Sequence, residues 1–172
     1  AKTVVGLRVP YWTGEKPLES DLYKYEDATG EKMTIAVNSK AVPIGKESKG
    51  YLFLKREWKK DERISINIPM KIRRLVSHPE LKENLGKIAM ERGPIVYCAE
   101  GIDNQGSVLD LSLPGNAEFK TQFDQHMFNG VYTITANAIH TGQSQVIMKM
   151  IPYFAWSHRG EGEMAVWIGQ DK

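Results

Sequence analysis

Gly86-Lys87-Ile88-Ala89-Met90-Glu91-Arg92-Gly93-Pro94-Ile95-Val96-Tyr97-Cys98-Ala99-Glu100-Gly101 is the stretch that decides the fold. Ile88 and Met90 alternate with Lys87, Ala89 and Glu91, the pattern of a strand with one buried face. Ile95 to Ala99 is a nearly unbroken apolar run, the pattern of a strand covered on both faces. Pro94 has no N–H to give to a ladder, so it belongs at a strand start or a bulge. Gly101 ends the run, and the composition turns polar. The stretch reads as the central strands of one sandwich and the exit into a second.

The rest of the chain follows the same logic. Thr3, Val5 and Leu7 share a face of a first strand, which Pro10 stops. Tyr11 to Gly30 is polar and reads as a long surface excursion. Met33, Ile35 and Val37 alternate, and so do Ile64, Ile66 and Ile68; Tyr51 to Trp58 and Met70 to Val76 are strand candidates, the latter with Arg73 and Arg74 outward. Pro79 to Asn84 suits one helical turn before Gly86. Ile102 to Gly106 is a polar break. Beyond it the candidates are 108–113, 117–123, 131–139, 145–152 and a last alternation of Met164, Val166 and Ile168. Turns are expected at 114–116, 129–130, 141–142 and 159–162. Short strands about ten residues apart, punctuated by Gly, Pro and Asn, predict an all-β chain. The expected architecture is two consecutive antiparallel, jelly-roll-like sandwiches over 1–102 and 103–172.

Composition excludes several classes. The 172 residues carry 23 basic and 21 acidic side chains, a net charge of +2. That bias is too small to argue for nucleic acid or an anionic membrane. No run reaches the roughly 18 apolar residues of a membrane helix. The first residues lack a signal-peptide pattern and begin within a strand, which reads as an excised fragment. The single Cys98 leaves the compartment open between periplasmic or secreted and cytoplasmic, and its apolar setting suggests a buried, inert thiol. His78, His126, His140 and His158 are too irregularly spaced for a zinc site. There is no Gly-x-Ser-x-Gly elbow and no phosphate loop. Glu161 and Glu163 near a turn, and Glu91 and Glu100 flanking the central strands, are acid pairs of the kind that 21 acids give by chance, and the first pair reads as solvated loop acids rather than a glycosidase pair. Trp12, Tyr153 and Trp156 could stack on sugar or pack between domains; Trp12, among polar neighbours, is expected to be the most exposed.

Two stretches carry a family resemblance. Ile151-Pro152-Tyr153-Phe154-Ala155-Trp156-Ser157-His158-Arg159-Gly160-Glu161-Gly162-Glu163-Met164-Ala165-Val166-Trp167-Ile168 resembles the closing signature of glycoside hydrolase family 127, the β-L-arabinofuranosidase-type group. Gly86 to Glu100 is similar to a second motif of the same family, and Leu7 to Trp12 and Gly50 to Trp58 fit its run of strands. Ser157-His158, Asn38-Ser39-Lys40 and the apparent insertion 14–30 depart from the usual pattern. The resemblance implies a helical (α/α)6 barrel followed by two β-sandwiches, with the cysteine nucleophile, the acid/base glutamate and the zinc ligands in the barrel. None of those motifs has a counterpart here, so no catalytic, cofactor or metal residue carries over. The expectation is a non-catalytic portion whose partner is the missing barrel, with a homodimer and carbohydrate as further partners. Trp12, Tyr153, Trp156 and Arg159 are the candidate sugar or interdomain contacts. The rival is a carbohydrate-binding module, and a free-standing enzyme using Glu161 and Glu163 ranks last.

Overall fold

The computed structural model describes residues 2–26, 32–45, 47–141 and 145–171. The chain is all-β. Its strands are β1 Lys2–Arg8, β2 Tyr23–Tyr25, β3 Thr34–Val37, β4 Lys40–Val42, β5 Tyr51–Glu57, β6 Ile64–Asn67 and β7 Ile72–Ser77. They continue with β8 Lys87–Arg92, β9 Ile95–Glu100, β10 Leu111–Pro114, β11 Phe119–Asp124, β12 Val131–His140, β13 Gln145–Pro152, β14 Met164–Ala165 and β15 Ile168–Asp171. Among the described residues the helical pieces are three-residue 3-10 turns, one of them Lys82–Asn84, near the helical turn expected there. The last expected alternation is split in two, β14 and β15. The turn expected at 141–142 and the end of the 11–30 excursion lie outside the described residues.

The Gly86–Gly101 stretch is a hairpin that splits. Gly93, at φ +62°, supplies the left-handed first position of the two-residue Gly93-Pro94 turn. Glu91 then pairs with Val96, and Arg92 with Ile95. Beyond those pairs the arms separate. β8 joins β7 and β15, while β9 joins β13 and β14. β13 continues through β12 and β10 to β15, so the pairings β9–β13–β12–β10–β15–β8–β9 close on themselves. The β10–β15 pairing is parallel, a departure from the antiparallel expectation. A closed circuit leaves its member strands few free edges and encloses one core. That core holds Ile88, Met90, Tyr97, Ala99, Leu113, Ile134, Met148, Met150 and Ile168. On the other side of β9, Cys98 packs with Met127, Ile151 and Ala155. β9 is therefore buried on both faces, as its apolar run predicts. β8 departs from its pattern: Ala89 is buried as well, because the 11–18 excursion lies near it.

The first part of the chain builds a smaller unit. The β1–β5 ribbon and the β4–β3–β6 sheet share a core of Ile35, Val37, Leu52 and Leu54. β6, with the cleanest alternation in the sequence, keeps Ile66 43% exposed because it is an edge strand paired to β3. β2, inside the expected surface excursion, pairs with β7 and stitches this unit to the circuit. The division expected at 102/103 thus falls at a turn inside the circuit, since β8 and β9 pair with strands beyond it. Arg73 and Arg74, both expected to face outward, point to opposite sides of β7, and Arg73 is only 7% exposed.

Candidate functional site

Two places gather chemistry. The first is the loop after β13. Pro152 (φ −54°) enters a 3-10 turn at Tyr153–Ala155, closed by the Trp156 amide donating to the Tyr153 carbonyl. Ala155 points into the core, and Tyr153, Phe154 and Trp156 are left 44, 60 and 40% exposed. The rings of Tyr153 and Trp156 stack on each other, 5.8 Å apart at 26°. Arg159 holds the loop from beneath. Its Nη1 donates to Asp103 Oδ1 at 3.1 Å, and its Nη2 to Asp103 Oδ2 and Glu100 Oε2. The Ser157 amide donates to Glu100 Oε1 at 3.0 Å, and Lys149 Nζ to Asp103 Oδ1 at 3.3 Å. Burial works against a charge on Asp103, but Arg159 and Lys149 outweigh it and hold the carboxyl below its usual range. Asp103 in turn raises the Arg159 guanidinium. Arg159 is thus a positioning residue with its guanidinium turned inward.

The neighbouring acids are likewise committed. Glu163 Oε2 accepts the amides of Val108 (2.9 Å) and Leu109 (3.3 Å) and the Ser107 hydroxyl (3.0 Å). Those bonds, the Val108 amide first, hold its carboxyl low. A glycosidase acid needs a raised value, so Glu163 caps the 107–110 turn. Burial, then Glu100, pushes the Cys98 thiol up to about 12, which leaves it protonated and unreactive.

The second place is a groove between the 11–18 excursion and the sheet. Arg73 reaches across the Tyr25 ring and donates to the carbonyls of Gly14 (2.7 Å) and Trp12 (3.4 Å). The Tyr25 hydroxyl donates to Glu91 Oε2 at 2.8 Å. Burial raises the Glu91 carboxyl above its usual range, against the opposing Tyr25 bond and the Arg73 charge. Above these lies a groove of about 250 Å³. Tyr11, Pro17 and Leu18 form one wall. Tyr23 and Trp167, stacked at 5.7 Å, form another, over a floor of Leu75, Ala89 and Val96. Trp12 is elsewhere: half-buried, in a crevice with Met33, Pro69 and Gly93. The structure therefore brings Tyr153, Trp156 and Arg159 together and leaves Trp12, expected to be the most exposed, half-buried and apart from them. Sequence reasoning missed the Tyr25–Arg73–Glu91 set. Its one available signal was that Arg73 and Arg74 cannot share a face of a strand.

Among the described residues no group of three or more His, Cys, Asp or Glu is placed to hold a metal. No helix of the described residues is long and apolar enough to cross a membrane.

Comparison with known proteins places these features. A family model described as the glycoside hydrolase family 127 C-terminal domain matches residues 72–169. A second, described as β-L-arabinofuranosidase, GH127 middle domain, matches residues 1–70. A non-reducing end β-L-arabinofuranosidase of Bifidobacterium longum subsp. longum is 24% identical over 181 residues, covering 94% of this chain and 25% of that protein. A solved GH127 β-arabinofuranosidase superposes with a TM-score of 0.89 at 34% identity, over 99% of this chain and 28% of its own. A GH127 β-L-arabinofuranosidase from Geobacillus stearothermophilus T6 gives a TM-score of 0.81 at 30% identity, over 99% and 27%. The chain spans about a quarter of the length of these relatives.

Proposed function

Since this chain belongs to glycoside hydrolase family 127, we propose that it is the non-catalytic β-sandwich portion of a larger glycoside hydrolase acting on β-L-arabinofuranosides. Its work is to support an (α/α)6 catalytic barrel and, second, to help assemble a dimer. The observation that carries this reading is the end-to-end match to a β-arabinofuranosidase of which these residues make up 28%. The state of the acids supports it. Glu100, Asp103 and Glu163 are each engaged by cations or backbone amides. The zinc that the resemblance implies does not fit the described residues, because Cys98 is buried and protonated and no group of three or more His, Cys, Asp or Glu among them is placed to hold a metal. Zinc belongs, on this reading, to the barrel. The test is an assay of aryl β-L-arabinofuranoside hydrolysis by the 172-residue chain, with and without added zinc. No turnover is expected, and zinc-dependent turnover overturns the reading.

The exposed Tyr153–Phe154–Trp156 loop favours a second reading, a carbohydrate-binding surface. Titration with plant-wall oligosaccharides, read by tryptophan fluorescence, separates the two. A scaffold shows no saturable quenching, and a binding module loses its quenching in Trp156→Ala.

A further inference from the structure

The groove over Glu91 has a floor, two aromatic walls and no occupant among the described residues. We propose that it is the seat of the catalytic portion of the longer polypeptide, which inserts apolar side chains between the 11–18 excursion and the Tyr23–Trp167 pair. This inference rests on the scaffold reading above and names the face that does the scaffolding.

Four observations carry it. The first is the lining, almost wholly apolar. Its one acid, Glu91, already accepts the Tyr25 hydroxyl. A sugar presents hydroxyls on every edge and needs several donors and acceptors to replace its water. An apolar protein surface needs none, and Tyr and Trp are the side chains that dominate such contacts. The second is preorganisation. The excursion is pinned from inside by Arg73 on the Gly14 and Trp12 carbonyls, and by the Thr13 hydroxyl on the Pro10 carbonyl at 2.8 Å. A loop so tethered keeps its wall upright, with Tyr11 66% and Leu18 42% exposed, and loses little freedom on docking. The third is position. Tyr11, Leu18 and Tyr23 lie in the segment matching the family's middle domain, and Leu75, Ala89 and Trp167 in the segment matching its C-terminal domain. One body seated here fixes both at once. The fourth is size: the solved relatives carry nearly three-quarters of their residues outside the matched part, a length of chain large enough to supply such an occupant.

The experiment uses the complete gene product containing the barrel, alongside the 172-residue chain. Hydrogen exchange is expected to show the amides of residues 10–25 protected in the complete protein and faster in the shorter chain. Leu18→Glu in the complete protein is expected to raise exchange there to the level of the shorter chain and to divide one calorimetric transition into two. Tyr11→Ser, at a side chain outside the core, is expected to do the same more weakly. Phe154→Glu, on the other exposed loop, is expected to leave both readouts unchanged. The proposal falls if Leu18→Glu and Tyr11→Ser leave exchange and the single transition as in the parent. It falls also if the 172-residue chain sediments as a dimer that Leu18→Glu dissolves, since the occupant is then a second copy. Saturable binding of L-arabinose lost in Trp167→Phe overturns it in favour of sugar. These failures differ from that of the scaffold reading, which is turnover by the shorter chain alone or a gene product without a barrel.

Discussion

Arg159 holds two carboxylates, Glu100 and Asp103, that are largely out of water. Removing one partner of such a set strands the other charges, a mechanism that costs about 3–5 kcal/mol when the site is fully buried. Arg159 keeps a quarter of its side chain in solvent, so Arg159→Met is expected to cost about 3 kcal/mol, read by denaturant melts. The Arg56–Glu62 pair differs by degree: the Arg56 side chain is 40% exposed, more than that of Arg159, and Arg56→Met is expected to cost less than Arg159→Met in the same melts. The same clamp sets an acid limb. A carboxyl held low in the folded state adds stability above its unfolded value, near 4, and loses it as pH falls through the lower folded value. Asp103 is such a group. Thermal melts are expected to fall as pH drops below about 4, and Arg159→Met is expected to flatten that fall; an unchanged acid limb in the variant counts against the clamp. The arginine stands out in the closing motif, yet its role was not legible. Its partners lie 56 and 59 residues upstream, and only the fold brings them together.

At the scale of elements, the hairpin of β8 and β9 is the corner on which the circuit turns. Gly93 sits at φ +62°, and a Cβ there would run into the Met70 side chain. Those Met70 atoms are the movable end of a flexible side chain, so Gly93→Ala is expected to cost chiefly the backbone strain, about 1–3 kcal/mol, with a small addition for shifting Met70. Gly86→Ala, at φ +70° with open space around it, is expected to cost only the backbone part. A melt in which the two variants are equal removes Met70 from the account. In the middle of the circuit, Met150 is wholly buried and pairs with Ala99 and Ile134. Met150→Ala is expected to cost about 2–5 kcal/mol. These elements were legible for a plain reason. Period-two alternation and the doubly apolar run at Ile95–Ala99 are local consequences of which faces are buried. The places where the reading failed are those where a remote segment changed the burial. Ala89 is covered by the excursion, Arg73 is drawn inward to the Gly14 carbonyl, and Trp12 is packed into the crevice by Gly93. The same remoteness hid the groove, whose walls come from three separated parts of the chain.

For the whole molecule, the pairing circuit makes the two family segments unequal. Residues beyond 86 close on themselves and enclose most of the buried apolar side chains. Among its described residues the first segment has a core cluster of four buried side chains, and its β2 strand is paired outside it, to β7. Stability grows with the apolar area removed from water, and small units with little core are marginal. Residues 72–171 produced alone are therefore expected to fold, with dispersed amide resonances and one cooperative thermal transition. Residues 1–70 alone are expected to give neither. The excised first segment also uncovers the β7 edge and the Leu75–Ala89 floor of the groove. Self-association of the 72–171 piece is thus expected to exceed that of the whole chain, and Leu75→Lys is expected to suppress it, measured by light scattering. A folded 1–70 piece beside an unfolded 72–171 piece would reverse the order of dependence. It would mean that the hairpin corner needs the first unit for support, and that the circuit is a consequence of docking rather than its foundation.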